Sequence, residues 1–581
     1  MKDTFYRRIV HTLVIVASVA LIGTAGLPLS ADETGTIAGY SGEKALKLGE
    51  RIYREGILPS GRPMKAIVMG DIPVDGRMFT CDDCHQRSGL GSVEGTVITW
   101  PTNGKELYQP RRRTGAWKPP DKEEEKKSSR RQLPPYWQVE DERPAYTDET
   151  LVKVLMSGVD PAGRKMDPIM PRYLLRKKDM AVLVHYLKNL SVEFSPGVDD
   201  TTIQFATVVT EEVPPEERTT MLSVLQAHID ARNSQSRHQE RRAKSGPFYK
   251  TEKHQAYRRM NLTVWELSGP RDTWTSQLEA YYQKEPVFGL LGGITTGSWK
   301  PIHEFCEQHR IPCLFPLTDL PVISDSDWYT LYFSKGLYQE GKAAARYLHI
   351  TKNIGQEVSV LQVFRKGQKG AALAQGFEKS WVGFKRNAPE SLVLTPEEEL
   401  SGNFWKDVTG SQTETVLLLW LGSKDITAIG IPADASQRPR MVFLSSRLLE
   451  ADLSVVPDAI RDITYVTYPY SLPHENKKRL TVVKRWLQAR DLSLSNREIQ
   501  AKMYFLGWML PAGIKHMRSE FFREYFLEGF DMMVDQDYAI AVYPRLSFGP
   551  GQRYASKGCY IVQLTEGPSP ELQKKSEWVV H

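Results

Sequence analysis

The five residues Cys81-Asp-Asp-Cys84-His85 constrain this chain more than any other segment. Two thiols three positions apart, followed at once by a histidine, have the spacing of a covalent c-type haem site. The thiols add to the two vinyl groups of the porphyrin, and the histidine lies under the iron. With 5 cysteines and 12 histidines in 581 residues, chance produces this order on the order of once in a thousand such chains. A zinc site needs two further ligands at close spacing, and no second cysteine pair exists. A thioredoxin-like pair needs a strand-to-helix setting in a βαβ unit, which the flanking sequence lacks. The expectation is one haem c, held through Cys81 and Cys84, with His85 as proximal axial ligand of the iron.

A haem that only exchanges electrons needs a sixth ligand, usually methionine. The Gly/Pro-rich segment Asp160-Pro-Ala-Gly-Arg-Lys-Met-Asp-Pro-Ile-Met-Pro-Arg-Tyr173 offers Met166 and Met170. Met170 is preferred, because the proline after it holds the chain rigidly; packing methionines are the alternative for both. Helical periodicity is expected over Glu43–Glu55 and over Asp179–Leu190, the latter capped by Asp179. The order helix, C-x-x-C-H, Met-Pro loop, helix over residues 38–195 resembles a class I cytochrome c. That resemblance implies terminal helices packed beside the haem and a haem edge exposed to a redox partner. One departure is an insert at about 104–146, rich in Pro, Lys, Arg and Glu and without period, expected to be loop or disordered. Its Trp117, Tyr136 and Trp137 either pin the loop or meet a partner.

The N-terminus sets the compartment. Lys2, Arg7 and Arg8 precede the apolar run Ile9–Ile22, and Gly26 and Pro28 follow. This is the order of a secretory signal peptide over residues 1–31, cut after Ala31, with an uncleaved anchor as the alternative. The expected location is the periplasm, with the remainder soluble. In an oxidising compartment Cys306 and Cys313 either bridge or serve as small buried apolar residues on a helix and the next strand. A net charge of +6 over this length, without an arginine-rich helix, argues against a nucleic-acid partner.

From about residue 200 to 570 short apolar runs alternate with helical stretches. Strands are expected at Ile203–Val209, Leu262–Leu267, Val287–Leu291, Cys313–Phe315, Val358–Val363, Val416–Leu421, Met441–Leu444 and Ile463–Thr467. Helices are expected at Thr219–Ala231, Trp274–Gln283, Trp299–His309 and Glu340–Leu348. This predicts an α/β fold with parallel sheets in two lobes, binding ligands beyond the carboxyl ends of the strands. The loop Gly292-Gly-Ile-Thr-Thr-Gly-Ser298 offers backbone N–H and hydroxyl donors to an anion such as a carboxylate, and lacks the Gly-Lys-Ser/Thr of a P-loop. Ordinary turn and cap chemistry explains each loop equally well.

The Gly292–Ser298 loop, the helix after it, Ile311-Pro-Cys-Leu-Phe-Pro316 and the late Ser547–Gly558 segment resemble the type I periplasmic solute-binding proteins, the branched-chain amino-acid and amide class of ABC importers. The resemblance implies that Thr295, Thr296 and Ser298, with Thr318 on the next loop, contact a small solute of amino-acid-like or amide-like chemistry. Tyr468, Tyr470 and Trp420 lie near strand ends without an assigned role, and Ser234–Tyr257 looks like an insertion near the cleft mouth. The whole is expected to be multidomain: an all-α cytochrome c domain followed by a two-lobed α/β periplasmic-binding-protein-like domain. The first functional reading is a periplasmic electron-transfer haem protein with a fused solute-binding domain. The second is an importer-type binding or sensing protein whose haem senses redox state. The third is a haem-dependent oxidoreductase, for which no catalytic constellation is visible.

Overall fold

The computed structural model describes residues 36–94, 97–111, 142–244, 258–352, 354–355, 358–400, 403–409, 415–432, 438–450, 452–533, 537–538, 540–567 and 570–580. The predicted signal peptide, with its cleavage site, and Trp117, Tyr136 and Trp137 lie outside these residues. The chain divides into two compact units, with the break between Val192 and Glu193. No helix among the described residues is long and apolar enough to cross a membrane.

In the first unit, helices Gly42–Glu55 and Lys177–Asn189 pack together. They touch most closely at Gly49, where a Cβ would stand 2.4 Å from Tyr186 Cβ. A glycine is needed there so that the backbones can meet. Around that contact Ile52, Tyr53, Val182, Leu183 and Leu187 are buried, each large apolar side chain contributing about 1.5–3 kcal/mol by leaving water. Arg176 occupies the N-cap position of the second helix without a side-chain cap, and Asp179, expected there, sits in the first turn, where a carboxylate meets the positive end of the helix dipole.

The expectation of an all-helical unit is corrected by an antiparallel sheet ordered Ile72–Asp75, Lys65–Val68, Arg172–Tyr173, and by a small hairpin, Val93–Glu94 with Val97–Ile98. Met69 and Gly70, both at positive φ, make the tight reversal that lets Val68 pair with Ile72. Ala66 pairs with Tyr173, so the end of the Met166–Met170 segment is tied into this sheet. The two ends of the long insert are also clipped down. Arg111 and Arg143 exchange backbone hydrogen bonds of 3.0 and 3.2 Å, and the buried Arg143 guanidinium donates to the carbonyls of Glu106, Leu107, Gln109 and Pro144.

The second unit has two lobes. The first holds a wholly parallel sheet ordered Thr330–Leu331, Cys313–Leu314, Gly289–Leu291, Thr202–Thr210, Arg259–Leu267. The second holds Glu390–Leu394, Val360–Arg365, Val416–Trp420, Met441–Ser445 and Thr464–Tyr468 in parallel, extended by antiparallel Gly558–Leu564 and Leu572–Lys574. Val416–Trp420 and Met441–Ser445 are buried at every position, which is why their sequences read as continuous apolar runs rather than alternating ones. The two-lobed α/β expectation for this region is met.

The chain passes between lobes three times: into helix Gly336–Ile350, back after Thr464–Tyr468, and again before Gly558–Leu564. Helices Arg497–Met517 and Arg523–Asp531, absent from the sequence reading, therefore complete the first lobe. Their Phe505, Leu506, Met509, Phe526 and Phe530 share a core with Phe205, Phe288, Leu314 and Phe333. Arg523, buried, fixes them in place by donating to the carbonyls of Phe288 and His309, each at 3.0 Å, and to that of Val287. The expected insertion at Ser234–Tyr257 begins as the last turns of helix Pro215–Lys244. Cys306, on helix Lys300–His309, and Cys313, on the next strand, are free, fully buried thiols in mutual contact.

Candidate functional sites

The first unit encloses a cavity of about 1240 Å³, open mouth included. Its walls are largely apolar, with Leu107, Leu151, Val154, Leu155 and Leu187 among them; Arg111, Arg143, Asp160 and Arg164 add charge, and it is also lined by Cys81, His85, Met166 and Met170. Helix Cys81–His85 carries the motif. It is fixed by a capping box in which Thr80 and Asp83 exchange hydrogen bonds, so Cys81 and His85 leave opposite ends of a single rigid turn and a half.

His85 Nδ1 donates to the Trp100 carbonyl at 2.8 Å. A carbonyl only accepts, so the proton is on Nδ1 and the Nε2 lone pair is free for a metal. Burial lowers the His85 pKa, which keeps the ring neutral. Burial also pushes the Cys81 thiol up to about 12, and its Sγ lies 3.7 Å from the Tyr173 hydroxyl. Cys84, on the same turn, is exposed and is not among the residues lining the cavity.

The methionine segment is held by Asp160. Its carboxylate accepts from the backbone of Ala162 (2.9 Å) and Arg164 (2.8 Å) and pairs with the Arg164 guanidinium at 2.7 Å. Met166 N bonds the Gly158 carbonyl at 2.8 Å, and Met170 N bonds Asp167 at 3.0 Å. Both thioethers are half-buried against the unit's core. An apolar slot, a correctly protonated imidazole, a buried thiol and two fixed thioethers fit a covalently attached haem. The same residues do not fit zinc: no three His, Cys, Asp or Glu side chains cluster among the described residues.

The second unit carries a polar cleft of about 1290 Å³, open mouth included. Most of its wall loops follow a parallel strand at its carboxyl end. Thr295 and Thr296 follow Gly289–Leu291, and Thr318 and Asp319 follow Cys313–Leu314. From the second lobe come Lys369 after Val360–Arg365, Ser446 and Arg447 after Met441–Ser445, and Tyr470 after Thr464–Tyr468. The opening of helix Arg497–Met517 adds Glu498 and Lys502.

Of the four residues expected here, three line the cleft. Thr295 is buried; its hydroxyl donates to Glu212 at 3.3 Å and accepts from Gly297 N at 3.2 Å. Thr318 donates to the Gly297 carbonyl at 2.9 Å and accepts from Leu320 N at 3.0 Å. These two hydroxyls staple the wall loops together, whereas Thr296 is exposed. Ser298 does not line the cleft: its hydroxyl accepts from Lys300 N at 3.3 Å as helix Lys300–His309 starts. That is local turn chemistry at the approach to the helix. Trp420 is core, donating to Gln362 at 3.1 Å.

The groups missed in the sequence are charged. Asp319, from the first lobe, meets Arg447 at 3.2 Å and Lys369 at 3.4 Å, both from the second. Arg447, its side chain 9% exposed, also reaches Glu498 at 3.5 Å and donates to the Tyr470 hydroxyl at 2.9 Å; Lys502 pairs with Glu498. Burial opposes ionisation of Asp319, but Arg447, Lys369 and Lys502 outweigh it and lower its pKa. Glu217 moves the other way, raised by burial and by the like charges of Glu498 and Asp319. Three cations therefore face the four carboxylates Glu217, Asp319, Glu450 and Glu498, so the cleft is near charge balance. Behind it Glu340, on helix Gly336–Ile350, is fully buried. Its Oε2 accepts from Ser445 at 2.8 Å and Thr467 at 2.6 Å, and burial raises its pKa to about 7.

No family model and no curated protein matches the chain. Among solved structures, an ABC transporter substrate-binding protein from Sphaerobacter thermophilus matches with a TM-score of 0.47 at 10% identity, over 65% of this chain and 98% of that one. An ABC-transporter solute-binding protein from R. palustris in complex with 4-hydroxybenzoate scores 0.45 at 12% identity, over 65% and 97%. A leucine-binding protein from Thermotoga maritima scores 0.43 at 12%, over 64% and 97%. Likeness at this level assigns this chain neither a ligand nor a family.

Proposed function

We propose that this chain is an exported solute-binding or sensing protein of the ABC-importer type that carries one haem c as a redox element. The observation that carries the solute-binding half is the polar cleft itself. Loops from the strand ends of both lobes converge there, and Asp319 of one lobe pairs with Arg447 and Lys369 of the other. A ligand that rearranges those pairs moves the lobes relative to each other, which is what a binding or sensing domain needs. Near-balanced charge, with the Thr296 hydroxyl exposed beside it, favours a small zwitterionic or amide-like solute over a polyanion. Isothermal titration with a panel of amino acids and amides tests this. Saturable binding that weakens in Arg447→Met supports it, and no binding by any of them counts against it.

The haem half rests on His85. Its Nδ1–H is taken by Trp100, its Nε2 is free, and it shares a cavity with Cys81, Met166 and Met170. In this reading Cys81 and Cys84 attach the haem, His85 and Met170 hold its iron, and the apolar walls exclude water. When bound, the haem supplies a one-electron couple. Denaturing the exported protein and recording its pyridine haemochrome spectrum tests attachment. A c-type spectrum that stays with the protein supports it, and a colourless or acid-extractable product removes it. Electron transfer to a periplasmic redox partner is the second reading, favoured by a candidate thioether ligand, Met170, in the segment that Asp160 and the pairing of Tyr173 tie down.

A further inference from the structure

A different cavity, about 1100 Å³ with its open mouth, lies in the second unit beside the first crossing between lobes. It is lined by Ser324 and Asp325 of the first lobe and by the helices Gly336–Ile350 and Gln368–Gly383. Lys335, Tyr338, Lys342 and Arg346 follow one another at spacings of three, four and four. This puts them on a single stripe along the first helix. Lys379 comes from the second helix.

Four cations therefore stand around one cavity with a single carboxylate, Asp325, among its lining residues. None of the four forms an ion pair among the described residues. Among the described residues their charged ends meet one partner, the ring of Tyr554, which lies 4.8 Å from the Lys335 ammonium. Tyr338 is a second, independent sign. It is 6% exposed and lines the cavity, and its hydroxyl has no hydrogen-bond partner among the described residues. An unpartnered hydroxyl on the wall of the cavity is a donor available to a ligand. The like charges also act on one another: burial first, and then Lys335, Lys379 and Arg346, lower the Lys342 pKa. An adjoining hollow shares Lys335, Tyr338 and Lys379 and extends to Asp319, the residue that pairs across the solute cleft.

We propose that this trough binds a small phosphate-type anion carrying two or more negative charges. Arg346 offers a planar fork to two of its oxygens, the three lysines supply point charges, and the Tyr338 hydroxyl donates a hydrogen bond. The trough is unlike the solute cleft in the property that selects a ligand: its lining carries four cations against one carboxylate, whereas the cleft is near balance. A concave site beside two packed helices suits a compact anion better than a flat protein surface. Ser324 lies before the crossing and Lys342 after it, so an anion held by both sides also ties the lobes together.

The test is calorimetric titration of the full chain with inorganic pyrophosphate, and flotation with phosphatidylglycerol-containing phosphatidylcholine vesicles, each at low and at physiological ionic strength. The variants are Lys342→Gln combined with Arg346→Gln, whose side chains are half-buried and exposed, and Arg447→Met in the solute cleft. Pyrophosphate should bind the wild type, more weakly as salt rises. It should bind the double variant about tenfold more weakly or less and bind Arg447→Met as it binds the wild type. Vesicle binding that the double variant abolishes, without pyrophosphate binding, assigns the phosphate to a lipid headgroup at the same site. Three results overturn the proposal: neither probe binds the wild type; binding is unchanged in a double variant of normal circular dichroism; or binding is lost in Arg447→Met and kept in the double variant.

Discussion

Glu340 makes the second unit sensitive to pH in a way that can be worked out in advance. Its carboxyl is fully buried and its pKa rises from 4.5 to about 7 through burial, opposed by Arg447 and by the hydroxyls of Thr467 and Ser445. The folded protein keeps a proton that the unfolded chain has already released above pH 4.5. Between pH 4.5 and about 7 each rise in pH therefore favours unfolding, and the loss is complete above the folded pKa. At about 1.4 kcal/mol per pH unit, the full effect is about 3 kcal/mol.

Glu340→Gln removes the titration. The Gln carbonyl oxygen takes over the two hydrogen bonds to Oε2, and its NH2 group occupies the place of Oε1, which is buried without a partner. The protonated carboxyl has the same unmet donor, so wild type and variant should be close in stability near pH 5. At pH 8 the variant should be the more stable by about 3 kcal/mol. Urea unfolding of both proteins, followed by tryptophan fluorescence from pH 5 to 8, measures the difference. Stability curves that run parallel across that range would refute the reasoning.

Other consequences can be checked separately. Met170→Ala should lower the reduction potential of the haem-loaded protein and open the iron to added imidazole, with the haem still attached; an unchanged potential transfers the role to Met166. Thr296→Ala should weaken solute binding, whereas Ser298→Ala should leave affinity alone and cost about 0.5–1 kcal/mol of stability, because that hydroxyl serves the helix start. Arg447→Met should lower solute affinity about tenfold or more, since it leaves Asp319 and Glu498 without their shared cation; titration calorimetry reads it directly. Gly376→Val should destabilise the second unit by about 2 kcal/mol or more in urea unfolding, because a Cβ there would sit 2.1 Å from the Tyr338 carbonyl.

What could be read in the sequence follows from which interactions are local. Val416–Trp420 and Met441–Ser445 announce themselves because a strand covered on both faces must be apolar throughout. The expected strand Val287–Leu291 is shorter in the structure, Gly289–Leu291, because the carbonyls of Val287 and Phe288 are taken by Arg523, 235 or more positions later. No local pattern reports such a partner. Helix Arg497–Met517 was hidden by Pro511 and Gly513 within it; its Phe505, Leu506 and Met509 are held by the first-lobe core rather than by propensity. The C-x-x-C-H motif is legible because Cys81, Cys84 and His85 lie within five residues. The cleft is not, because Asp319, Arg447 and Glu498 come from three distant segments and only the fold brings them within 3.5 Å. The loop hydroxyls were visible as glycine-rich turn chemistry, but sequence alone does not separate Thr296, which faces the cleft, from Ser298, whose hydroxyl accepts from Lys300 N ahead of a helix.

The central claim is that one exported chain carries both a covalent haem and a working solute cleft. Mass spectrometry of the protein purified from the periplasm, first denatured and then under native conditions, tests both halves at once. A haem mass should survive denaturation, and an additional small mass should appear only in the native spectrum. A protein without covalent haem would contradict the reading of Cys81, Cys84 and His85. Haem without any small ligand, even after incubation with amino acids and amides, would contradict the reading of the cleft.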